Sequence, residues 1–150
     1  MKFIAGLFAV AFLALAPLSG AQARAGITKG EIAAALSSEG YSVRDFNASG
    51  LAVAVGGYTI LVFIDGPDAD VSYRTYPNVS IDRLGHQFLT RFNAQVKFGR
   101  AFVDPDGDVA LQMDRNSSGG VTIANIKSDF DVFLLLVSKF LSDVENLASA

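Results

Sequence analysis

Several groups of side chains in this sequence have types and spacings that chemistry can use. Asp104-Pro105-Asp106-Gly107-Asp108 sets three carboxylates within five positions, an oxygen-rich run of the kind a hard cation prefers. An EF-hand loop opening at Asp104 would need glycine at its sixth place and glutamate at its twelfth, where the chain has Val109 and Arg115. The same residues suit a hairpin turn, with Pro presetting one dihedral and Gly supplying a positive one, and a turn is the expectation. Asp65, Asp68 and Asp70 form a second acidic group around Pro67. Two carboxylates can serve as acid and base across a sugar ring. In a turn beside a strand, however, Asp is common for backbone reasons, and a solvated turn is the expected role.

His86 is the single histidine, so any imidazole acid or base must be this residue. Helical spacing sets Asp82, His86, Thr90 and Asn93 along one polar face, where a carboxylate would stand one turn before the imidazole. A nucleophile to complete that arrangement is missing: no serine lies in a Gly-x-Ser-x-Gly elbow. Phosphate-cradling glycine motifs are also missing. Lys97, Arg100, Arg91 and Arg83 concentrate positive charge in the middle of the chain, with Phe98 and Phe102 interleaved. Such a run can receive an anionic partner, but the expectation is that the rings face the core while the charges cover the surface. The sequons at Asn47, Asn78 and Asn116 matter only in a host that glycosylates exported protein. No catalytic, cofactor or metal site is assigned.

Composition narrows the classes further. The chain has no cysteine, which excludes a disulfide scaffold, a thiol nucleophile and a thiolate zinc site. One histidine excludes a multi-histidine metal centre. Of its 150 residues 51% are hydrophobic, and 18 of the first 25 belong to that class. Residues 1–25 read as a cleaved secretory signal peptide: Lys2, an apolar run from Phe3 to Ala16, helix breakers at Pro17 and Gly20, then overlapping sites Ala21-Gln22-Ala23 and Ala23-Arg24-Ala25. The run is short of the roughly 20 apolar residues that span a bilayer. The expectation is therefore an exported protein, periplasmic or secreted, with no membrane span after cleavage. Without Lys2 and Arg24 the remainder has 10 basic against 15 acidic residues, which argues against a nucleic-acid partner.

Residues 26–150 are expected to form one domain. Thr28 and Glu31 fit a capping box for a helix over 29–39, stopped at Gly40. Three or four strands follow: Tyr41–Phe46, Leu51–Val55, Tyr58–Ile64 and Val71–Tyr76, with Gly56-Gly57 as a tight hairpin turn. The stretch 58–64 is apolar at nearly every position, which predicts a central strand covered on both faces. Ser80 caps a second helix running to about Asn93, and a hairpin over 97–113 follows. Thr122 then caps a last helix to about Leu147, whose stripe is Ile126, Phe130, Phe133, Val137, Phe140, Leu141 and Val144. The order α-β-β-β(-β)-α-β-β-α predicts an α+β fold, a mainly antiparallel sheet with helices packed on it. Val132, Leu135 and Leu136 add apolar area off the main stripe, which is either a candidate partner interface or a second side of the helix buried within one monomer.

Thr90-Arg91-Phe92-Asn93, the strand Lys97-Phe98-Gly99-Arg100-Ala101-Phe102-Val103, the turn Asp104 to Asp108 and Gly119-Gly120-Val121-Thr122 together resemble the YbjN family. Gly40-Tyr41 also matches its first helix end, and the similarity spans about 28–145. Thr90 stands where the family tends to have Asn, while Asn93 keeps the other place, expected to end the helix. The resemblance implies a type III secretion chaperone-like fold, often a dimer, in a family described as sensory-transduction regulators without an established reaction. It favours a non-catalytic exported binding or regulatory module engaging protein or peptide. The alternative is a small periplasmic hydrolase using carboxylates with His86.

Overall fold

The structure, a computed structural model, describes residues 26–149; the expected leader at 1–25 lies outside the described residues. The chain opens with α1 (Lys29–Ser38), set by a capping box. Thr28 Oγ1 accepts from Glu31 N–H at 3.2 Å, and Glu31 Oε2 accepts from Thr28 N–H at 3.0 Å. Two of the amides a helix N-terminus leaves unpaired are thereby satisfied. Four strands follow, β1 (Ser42–Asp45), β2 (Gly50–Val55), β3 (Tyr58–Asp65) and β4 (Asp70–Thr75). Gly56 and Gly57 have φ of 54° and 86°, the pair of positive values that a two-residue hairpin of this twist requires.

The predicted second helix is two helices, α2 (Ile81–Leu84) and α3 (His86–Gln95). Gly85 divides them with φ 74° and ψ 149°, outside the helical region. Leu84, Phe88, Leu89 and Phe92 remain buried on either side of the break, so the apolar period survives while the helix does not. Then come β5 (Gly99–Val103), β6 (Val109–Arg115) and the 26-residue α4 (Ile123–Ala148), capped by Thr122 with Asn125 in the reciprocal role.

All six strands form one antiparallel sheet in the order β1-β2-β3-β4-β6-β5. Alternation along each strand sends one set of side chains inward. Val53, Ile60, Val62, Val71, Tyr73, Leu111 and Met113 are such residues, and they share a core with the buried stripes of α1, α3 and α4. Phe130, Phe133 and Phe140 of α4 are each at most 1% exposed. Tyr73 meets Phe133 with ring centroids 5.9 Å apart, and Phe92 meets Phe140 edge-on at 5.2 Å. Fully burying each such ring contributes about 1.5–3 kcal/mol, so α4 is the main clamp on the sheet. No helix among the described residues is long and apolar enough to cross a membrane.

The expectation that 58–64 is covered on both faces does not hold. β3 is an interior strand, but Ile60 and Val62 are buried while Leu61 and Phe63 are half-buried and stand outside the shared core. Among the described residues the helical layer lies on one side alone. On the other side Phe63 is sheltered by an edge-on contact at 5.8 Å with Phe46, in the loop after β1.

Candidate functional site

Register across six strands assembles a row on the uncovered face of the sheet. Arg44 pairs with Ala52, Ala52 with Leu61, Leu61 with Arg74, Arg74 with Gln112, and Gln112 with Arg100. Directly paired residues point to the same face. Three arginines therefore share one cross-strand line on a chain whose net charge is negative.

The middle of the line is held in place. Arg74 Nη2 donates to Gln112 Oε1 at 2.7 Å, and its Cζ lies 5.7 Å from the centroid of the Phe102 ring. Arg100 Cζ lies 5.4 Å from the same centroid. A guanidinium over an aromatic face is attracted by the ring's quadrupole, so Phe102 orients both cations. Gln112 Nε2 donates to both oxygens of Asp114, which also accepts from Ser72 Oγ at 2.8 Å and stands 3.8 Å from Arg100. Arg74 Nε is buried and has no hydrogen-bond partner among the described residues. Arg44 is exposed at the far end of the row and makes no ion pair among them.

Two open depressions flank this line. One, of about 450 Å³, is bordered by Asp65, Asp70, Ser72, Arg74, Gln112 and Asp114. The other, of about 540 Å³, is bordered by Leu61, Thr59, Tyr76 and the Gly56-Gly57 turn. Apolar and aromatic groups beside oriented donors suit a bound chain better than an enclosed small molecule.

The residues expected to share the polar face do not come together. Asp82 is on α2 and His86 opens α3, so Gly85 breaks the one-turn relation between them. Asn93 turns away to the sheet edge, donating from Nδ2 to Ala101 O at 2.9 Å and accepting Ala101 N–H on Oδ1 at 2.8 Å. It is thus a cap for strand β5 rather than a helix stop, and α3 continues to Gln95. Thr90 hydrogen-bonds the His86 carbonyl within its own helix.

The interface candidates divide as well. Leu135 is 70% exposed, but Leu136 is 6% exposed, packed in the core against Gly99, and is removed from any free surface. Val132 is half-buried at a depression of about 500 Å³ that Phe98 and Met113 also border. The rings of the basic run do not face the core: Phe102 is on the uncovered face, and Phe98, with φ 68°, is 77% exposed. The run at 104–108 serves its own turn: Asp104 Oδ1 accepts from the N–H groups of Asp106 and Asp108, each at 3.0 Å. Asp70 instead accepts Ser117 N–H on Oδ1 at 2.7 Å, tying the start of β4 to the loop after β6.

At the inner end of β6, Arg115 pairs through both nitrogens of its fork with Asp129 of α4. This bond raises the Arg115 pKa, and burial followed by the Asp129 charge raises that of Tyr73 well above its ordinary value. Tyr73 donates to the Ile126 carbonyl at 3.3 Å, so the cluster ties α4 to the sheet.

Sequence and structure comparisons agree with this architecture. The crystal structure of YbjN from E. coli matches with a TM-score of 0.58 at 16% identity, covering 77% of this chain and 88% of that one. A search of curated proteins finds no match. Residues 28–146 match the model of the YbjN family, described as "putative bacterial sensory transduction regulator". The chain belongs to the YbjN family.

Proposed function

We propose that this chain is a non-catalytic regulatory module that binds a protein or peptide on the uncovered face of its sheet. One observation carries the reading: among the described residues Leu61, Phe63 and Phe102 stand on that face without a helical layer above them, beside a row of oriented arginines. An antiparallel sheet with one wet face ordinarily presents polar residues there. Half-exposed apolar groups rimmed by charge mark an interaction surface. The family description as a regulator supports the same reading. Export is part of the proposal, supported by the sequence of residues 1–25, and N-terminal sequencing of the mature protein tests it: a chain starting at Met1 contradicts it.

The competing hydrolase reading predicts a different set of sensitive residues. The test replaces the chain in its host by variants and follows the phenotype of its loss, with protein level checked by immunoblot. Leu61→Asp is expected to lose function at normal level, while His86→Ala and Asp106→Ala behave as wild type. Loss in His86→Ala at normal level would favour the hydrolase instead.

A second reading concerns self-association. Phe98 and Leu135 are the two most exposed large apolar side chains among the described residues, which favours a second copy at the seam of α4 and β5. Sedimentation of wild type against Leu135→Asp tests it, and a concentration-independent monomer removes it.

A further inference from the structure

The partner's chemistry is written in the hydrogen bonds of Arg74. Its guanidinium offers a planar fork, yet the fork is half used: Gln112 Oε1 accepts from Nη2 at 2.7 Å, while Nε is buried without a partner among the described residues. An amide presents one acceptor oxygen and a carboxylate presents two, spaced to take both donors of a guanidinium edge. Leaving a buried donor unmet is costly, so an incoming group that satisfies Nε gains an advantage that Gln112 lacks. Phe102 keeps Arg74 and Arg100 in position, so little side-chain freedom remains to be lost on binding.

Resting on the sheet-face reading, we infer that the occupant is an extended acidic peptide, one of whose carboxylates forks onto Nε and Nη2 of Arg74 as the Gln112 amide turns aside. Arg44 and Arg100 take further carboxylates toward the two ends. The row crosses six strands, a span of about 24 Å at the usual strand spacing, which is about seven residues of extended chain. A lone small acid would meet one arginine of the row and leave the apolar groups beside Leu61 uncovered. Asp65, Asp70 and Asp114 border one side of the row, so a polyphosphate, charged at every unit, would set charge against them, whereas a peptide can place an uncharged residue there. Spaced acidic side chains with apolar residues between them fit both features.

The test uses a fluorescein-labelled decapeptide of alternating Glu and Val, with a Gln-for-Glu version as control. Anisotropy titrations are expected to give roughly tenfold or greater preference for the Glu peptide. Arg74→Lys keeps the charge but not the fork, and is expected to lose roughly tenfold. Arg44→Gln, at an exposed position, is expected to lose about threefold without altering the melt, which keeps the test valid if Arg74 variants misfold. Free glutamate at millimolar concentration is expected not to compete. Equal binding of the two peptides, absence of binding, full affinity in Arg74→Lys and Arg44→Gln, tighter binding of a ten-nucleotide DNA strand, or competition by glutamate would each overturn the inference. If the peptide fails while a partner is still captured from residue 61, the acidic chemistry is wrong and the sheet-face reading stands.

Discussion

Asn93 and Ala101 are joined as if the side chain were one rung of a neighbouring strand. The amide donates 2.9 Å to the Ala101 carbonyl and accepts its N–H at 2.8 Å, on the outer edge of β5, the last strand of the sheet. Edge backbone groups left open invite pairing with another chain. Asn93 and α3 close this edge, and the uncovered face is left as the sheet's accessible surface near Arg100.

Removing that rung is expected to be felt. Asn93→Ala leaves both Ala101 groups unbonded, and urea titration should show a loss of about 1–3 kcal/mol. Asn93→Asp should be no better, because its carboxylate cannot donate to the Ala101 carbonyl. An unchanged midpoint in both variants would mean the bonds contribute nothing.

Gly99 is required by its neighbour on α4. A Cβ there would stand 2.5 Å from Leu136 Cδ2 and 3.0 Å from the Gln112 carbonyl oxygen. Gly99→Ala is expected to cost about 1–3 kcal/mol through overpacking. Combining it with Leu136→Ala should cost less than the sum of the two, by about 0.5 kcal/mol or more, since they share one contact. Additive losses in denaturant would place the strain elsewhere.

The two faces of β3 predict opposite fates for adjacent residues. Ile60 is 1% exposed in the core, so Ile60→Asp buries a charge without a partner and should abolish the cooperative melt. Leu61→Asp places the charge on the wet face and should keep a cooperative transition within a few degrees of wild type. Circular dichroism melts of the pair check the face assignment.

Alkaline pH should loosen the fold through Tyr73. Burial, then the Asp129 charge, holds its phenol protonated in the folded chain well above the ordinary value near 10. The folded pKa is the higher one, so above about pH 10 the unfolded chain loses this proton first and stability falls as pH rises, by at most about 1.4 kcal/mol per pH unit for one group. Below that pH the contribution is fully present. Tyr73→Phe should flatten the slope of urea stability between pH 10 and 11, and an unchanged slope would contradict the assignment.

How much of this is legible in the sequence depends on the range of the interaction. The caps at Thr28 and Thr122, the Gly56-Gly57 turn and the α4 stripe are local patterns, and each stands where its residues predict. Gly85 carries its own signal, a glycine inside a helical pattern, but the continuing apolar period outweighs it in a reading of periodicity alone. Leu135 and Leu136 are adjacent, and which one faces the sheet depends on the angle at which α4 lies. The arginine row is farther from view, because Arg44, Arg74 and Arg100 meet only through the register of six strands. Phe102 is misread for the same reason: apolar character predicts burial, whereas strand alternation in this register sends it outward.

Photo-crosslinking from within the host tests the central claim most directly. Leu61, on the uncovered face, and Gln87, on the exposed side of α3, are each replaced by p-benzoylphenylalanine, and adducts are resolved after irradiation. The account predicts a discrete heavier species from position 61 that disappears when Phe63→Asp is added, and none from position 87. Adducts from position 87 alone, or an adduct at 61 indifferent to Phe63→Asp, would contradict it.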